Sequence, residues 1–184
     1  MKPFLFGLTL SLISYSISAQ EKLYDIMPMD SGKVVYKKAI MEDSLSKDEI
    51  FNKVKAWADN YYNKFDRAKV IEEDNEGGHL AYRAFMPVQT VYKAGSSYNA
   101  PHRLELRYHL EFYVQEGKYR IIMKDLYIRN PEEDLLTQVL TQGPIEKYGK
   151  ASKGRVREGF KTDIEGIHKG IIHLYLNIIE SIHN

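Results

Sequence analysis

Between Arg103 and Val114 the chain reads RLELRYHLEFYV, so that Leu104, Leu106, Tyr108, Leu110, Phe112 and Val114 alternate with Arg103, Glu105, Arg107, His109, Glu111 and Tyr113. Successive side chains leave an extended strand on opposite sides, and a helix would scatter these residues around its circumference. The segment is therefore a strand with one buried and one wet face. Such strands belong to antiparallel sheets covered on one side only.

The flanking sequence extends this sheet. Gln115-Glu116-Gly117-Lys118 reads as a hairpin turn into Tyr119 to Arg129, whose apolar phase switches near Lys124-Asp125 and predicts a bulge there. Upstream, Asn75-Glu76-Gly77-Gly78 is a turn between Ala68–Glu73 and a long extended segment, His79 to Tyr92. Ala94 to Pro101 reads as a polar loop, and Lys33 to Met41 as a further strand after a turn at Asp30-Ser31-Gly32.

Two long helices must cover the apolar face. Ser46-Lys47-Asp48-Glu49 has the spacing of a capping box, and Ile50, Val54, Trp57, Tyr61 and Phe65 follow at helical spacing, which predicts a helix from Lys47 to about Asn63. Thr162-Asp163-Ile164-Glu165 reads as a second capping box, before a stripe of Ile164, Ile167, Ile171, Tyr175, Ile178 and Ile182. A short helix is expected from Asn130-Pro131 to about Leu140, closed by Gly143-Pro144, and a Gly- and Lys-rich loop from Ile145 to Phe160. The predicted fold is α+β, in the order β-α-β-β-β-β-(short α)-α, with an antiparallel sheet of four to five strands packed on two long helices.

The first nineteen residues, MKPFLFGLTLSLISYSISA, read as a secretory signal peptide, with Phe4 to Ile13 too short to span a bilayer. Residues 20–184 are then a single domain: 33–129 as its core, 130–160 as short helix and basic loop, 161–184 as terminal helix. The chain has no Cys, which excludes disulfides, thiolate metal sites and a lipoprotein anchor at the cleavage site. Export to the periplasm or the cell surface, without a membrane span, is the expectation. Loss of Lys2 with the leader balances bases against acids, which argues against nucleic acid as a partner.

Several stretches together resemble a bacterial family known as domain of unknown function 4468, described as having a TATA-binding-protein-like fold. They are the Ala-Gln end of the leader, the opening MPMDSGKVVYKK, the helix SLSKDEIFNKVKAWADNYY and the Gly-Lys-Tyr-Arg hairpin at 117–120. The resemblance covers roughly Met27 to Arg129 and, more loosely, the terminal helix. It implies the fold and export, and it transfers no catalytic or ligand-binding residue.

The candidate sites are few. The Gly32-Lys33 pair lacks the first glycine and the Ser/Thr of a phosphate-binding loop and precedes a strand, so it reads as a turn. The six histidines show no metal-binding spacing, His168 and His173 included, and Ser96 and Ser97 lack the strained elbow of a nucleophile. Glu105 and Glu111 alternate with Arg103 and Arg107 as a cross-paired wet face. No catalytic residue, metal or cofactor is assigned. The best binding candidates are Arg107 and His109 in mid-sheet, with Tyr98 and His102 in the adjoining loop, facing an anionic or glycan ligand. The basic stretch Lys147, Lys150, Lys153, Arg155, Arg157 and Lys161 is a candidate for peripheral contact with an anionic surface. The reading is a non-catalytic binding module of the envelope with an unidentified ligand or protein partner. The alternatives are a small hydrolase or isomerase acting on an envelope component, and a structural subunit pairing through a sheet edge.

Overall fold

The computed structural model describes residues 23–62, 67–94, 98–131, 142–148 and 158–184. The expected leader, most of the short helix after Asn130 and most of the basic loop lie outside them. A single turn, Leu23–Ile26 (α1), leads into a small hairpin of Met29–Asp30 (β1) and Lys33–Val34 (β2). Asp30 pairs with Lys33 across Ser31 and Gly32, at φ 50° and 80°. A two-residue hairpin turn needs two such left-handed residues, and glycine supplies one without steric cost.

Next come Tyr36–Met41 (β3) and Lys47–Tyr62 (α2). The capping box at the start of α2 is formed: the Ser46 amide donates to Glu49 Oε2 at 2.8 Å and the Glu49 amide donates to Ser46 Oγ at 3.3 Å. The helix buries Ile50, Phe51, Val54, Trp57, Ala58 and Tyr62. Four strands then run to and fro: Ala68–Asp74 (β4), His79–Ala94 (β5), Tyr98–Gln115 (β6) and Lys118–Arg129 (β7). After them come the two residues Gly143–Pro144 (β8) and the long helix Glu158–His183 (α3).

The sheet has six antiparallel strands in the order β3-β7-β6-β5-β4, with β8 pairing Tyr127 and Ile128 at the upper end of β7. The alternation read from the sequence is the geometry of β6: its even positions from Leu104 to Val114 are at most 2 % exposed. The phase switch in β7 is a bulge. Pairing with β6 shifts between Arg107 and His109, and Asp125 opposite that shift sits at φ 53°. Tyr119, Ile121 and Met123 are buried on one side of it, Leu126 and Ile128 on the other.

Both helices lie on one face of the sheet, α3 along β5 and α2 over β6 and β7. Close approach is possible because Gly166 of α3 carries no side chain; a Cβ there would stand 2.6 Å from Thr90 Cγ2. Trp57 Nε1 donates to Asn177 Oδ1 at 2.8 Å and ties the two helices together.

Four local expectations change. The strand expected over Lys33 to Met41 is two, β2 and β3, which break at Val35 and belong to different sheets. Residues 98–101, read as loop, are paired strand opposite 91–94, because β5 and β6 continue their ladder almost to the connection. Gly143-Pro144, read as a helix stop, is a strand; and Ile145 to Tyr148 is a turn anchored by buried Ile145 and Tyr148. Helix α3 begins at Glu158, so Thr162 and Asp163 lie inside it and cannot cap it. Their side chains serve tertiary contacts instead: Thr162 Oγ1 donates to the Val91 carbonyl at 2.6 Å, and Asp163 is fully buried.

Candidate functional site

With helices on one side, the odd positions of β5 and β6 form an open face. A concavity of about 600 Å³ lies on it, between β4 and β7. Its walls carry Arg67, Lys69, Arg83 and Arg107 against one acid, Asp125, with Phe85 and Tyr127 as apolar ground. The whole chain carries a formal net charge of only +1, so the concavity gathers charge that the rest of the surface balances.

Cross-strand register builds this cluster from four strands. Lys69 pairs with Arg83, Arg83 with His109 and His109 with Lys124; two residues along, Phe85 pairs with Arg107 and Arg107 with Tyr127. The amide of Phe85 donates to the Arg67 carbonyl at 2.9 Å, which extends the second row to β4. His109 is held from both sides. Its Nδ1 lies 3.1 Å from Asp125 Oδ2, and Arg83 Nε donates to its Nε2 at 3.2 Å. The bulge brings Asp125 to that place, since one extra residue in a strand re-aims its neighbours.

Acids fence the cluster. Arg107 Nε donates to Glu105 Oε1 at 2.6 Å, Arg129 approaches the same oxygen at 3.9 Å, and Lys124 pairs with Glu111 at 2.7 Å. The Glu111 hydrogen bond raises the Lys124 pKa and keeps that ammonium charged.

The four residues singled out by sequence divide. Arg107 and His109 meet on the open face, together with Arg67, Lys69 and Arg83, which the sequence reading did not single out. His102 does not join them. It is a strand residue on the helix side, where its Nδ1 lies 3.1 and 3.2 Å from the two oxygens of Asp163 and its Nε2 lies 2.7 Å from Asn130 Nδ2. Asp163 also accepts from Tyr148 Oη at 3.0 Å and from Thr90 Oγ1. This cluster joins α3, β5, β6 and the 145–148 turn, and it holds the fold together. Tyr98 opens β6 opposite Ala94, and its side chain lies outside the described residues.

Chemically the open cleft can hold anions. Among the described residues its lining has oriented guanidinium groups and a positioned imidazole, and no Ser or Thr to act as nucleophile. Among the described residues no cluster of three or more His, Asp or Glu is arranged to hold a metal ion. His168 Nδ1 meets Tyr36 Oη at 2.7 Å, while His173 is exposed. Of the basic stretch, Lys147 is exposed and Lys161 is partly buried in α3; Lys150, Lys153, Arg155 and Arg157 lie outside the described residues. No described helix is long and apolar enough to cross a membrane.

The chain matches a family model described as a domain of unknown function (DUF4468) with TBP-like fold, over residues 36–129. Its fold is similar to that of a DUF4468 family protein from Bacteroides ovatus, at a TM-score of 0.66 and 12% identity, covering 86% of this chain and 91% of that one. It is also similar to a TBP-like protein from Parabacteroides distasonis, at a TM-score of 0.63 and 20% identity, covering 86% and 98% of the two chains. No curated protein matches. At these identities the likeness is one of fold.

Proposed function

The chain belongs to the DUF4468 family of TBP-like fold, and from that premise we propose that it is a non-catalytic binding module of the bacterial envelope whose open sheet face holds an anionic ligand. The observation that carries this is the concavity lined by Arg67, Lys69, Arg83 and Arg107 with Asp125 as the acid of its lining and Glu105 holding Arg107 from its border, in a chain of near-zero net charge. Guanidinium groups bind carboxylates and phosphates in bidentate fashion, and several converging on one surface add specificity as well as attraction. Placement in the periplasm or at the cell surface without a lipid anchor follows from the reading of residues 1–19 as a cleaved leader and from the lack of Cys.

The test is elution from an immobilised sulfonate matrix. Arg83→Ala with Arg107→Ala should elute the protein at markedly lower salt than Lys33→Ala with Lys118→Ala, which removes the same charge from exposed positions elsewhere. Co-elution of the two double variants would overturn the reading.

A further inference from the structure

The arrangement of the cations carries more than their number. They do not converge on one point, as they would around a compact anion. They are spread over two neighbouring rows of residues that cross the strands: Lys69, Arg83 and Lys124 with His109 between them in one, Arg67 and Arg107 with Phe85 and Tyr127 in the other. Strands stand about 4.8 Å apart and the rows about 6.7 Å, so four strands give a band roughly 14 Å long and two rows wide. Carboxylates border it on each long side, Glu105 beyond the Arg107 row and Glu111 beyond the His109 row. At one end the band reaches β4, the edge strand on that side of the sheet among the described residues.

Resting on the anion-binding reading of the same face, we infer that the ligand is a linear acidic polysaccharide, lying across the strands with its carboxylates on the cation rows. Each part of the band matches such a chain. Arginines take carboxylates; Phe85 and the 39 % exposed Tyr127 offer flat apolar ground for sugar ring faces. Glu105, Glu111 and Asp125 accept hydrogen bonds from sugar hydroxyls, for which a purely cationic groove has no use. A single strand of DNA carries the same linear charge but few hydroxyls. Its phosphates would run along two fences of carboxylate, and proteins that hold it present a basic excess this chain lacks.

Calorimetric titration with galacturonate oligomers of defined length, on the chain from residue 20, tests this. Affinity should climb at least tenfold from monomer to tetramer and then level off as the band fills. Arg83→Ala and Arg107→Ala should each weaken the tetramer about tenfold, Lys118→Ala should not, and neutral malto-oligosaccharide should not bind. Oligo-dT of matched contour length should bind at least tenfold more weakly than the tetramer. Affinity independent of length, oligo-dT equal to the tetramer, or no uronate binding would each overturn the polysaccharide. If the Arg83/Arg107 variant still loses retention on the sulfonate matrix, the anion-binding face stands without it; if it does not, both readings fall.

Discussion

His102 and His109 sit on one strand, each with Nδ1 against an aspartate and Nε2 against a side-chain nitrogen, and they live in different solvents. On the helix side, the side chains of His102 and Asp163 are 18% and 0% exposed. On the open side, those of His109 and Asp125 are 30% and 55% exposed. In both, the contacts are satisfied by an imidazole that donates from Nδ1 and accepts at Nε2, from Asn130 in the first case and Arg83 in the second. The geometry is shared and the energetics are not. A buried carboxyl must keep its partners or lose several kcal/mol, whereas an exposed ion pair contributes about 0–1 kcal/mol. The first pair holds elements together; the second orients groups that a ligand can reach.

The largest effect should come from the buried side. Asp163→Ala takes a shared acceptor from Thr90, Tyr148 and His102, and should cost about 3–5 kcal/mol in urea denaturation. A loss below about 1 kcal/mol would erase the distinction between the two pairs.

The same layer should resist alkali. Burial raises the phenol pKa of Tyr36, Tyr62, Tyr82, Tyr108, Tyr119 and Tyr175 well above the ordinary value near 10. Because the folded values lie above the unfolded ones, this stabilisation is complete below about pH 10 and is lost as the pH climbs toward the folded values. Absorbance titration should show a set of phenols ionising only as the circular dichroism of the fold disappears. Ionisation of every tyrosine with the fold intact would contradict the burial.

Smaller effects belong to the open side. Asp125 holds a left-handed conformation at φ 53°, which glycine adopts freely and a β-branched residue does not. Asp125→Gly should keep the bulge and leave thermal stability unchanged or raised by up to about 1 kcal/mol, while Asp125→Val should lower it by about 1–2 kcal/mol. A clear loss with glycine would mean that the carboxylate itself supports the fold.

The smallest change in stability is expected for His109→Gln, within about 0.5 kcal/mol in the same melts. Its effect should appear in binding. The ring spans Arg83 Nε and Asp125 Oδ2 and so holds that guanidinium in place, and the variant should therefore elute from the sulfonate matrix at lower salt than the native chain. Unchanged retention would remove His109 from the site.

Much of this was legible locally. The alternation of β6, the capping box at Ser46 and Glu49 and the phase switch at Lys124-Asp125 are short-range patterns with one physical solution each. Thr162 and Glu165 have the spacing of a capping box and form none, because the helix already begins at Glu158, and a hydroxyl that caps its own helix and one that donates to the Val91 carbonyl look alike in sequence. His102 has the parity of Leu104 and so the buried side. Reading 98–101 as loop concealed that.

By itself the sequence determined which face of β6 from Arg103 to Val114 is buried, where β7 bulges and which face of each long helix is apolar, since these follow from backbone period and sterics within a few neighbours. Only the tertiary structure decided that Arg67, Lys69, Arg83, Arg107 and Tyr127 share one cleft. Their adjacency depends on the register of four strands, and register is fixed by turns, bulges and a common core far from any one of them.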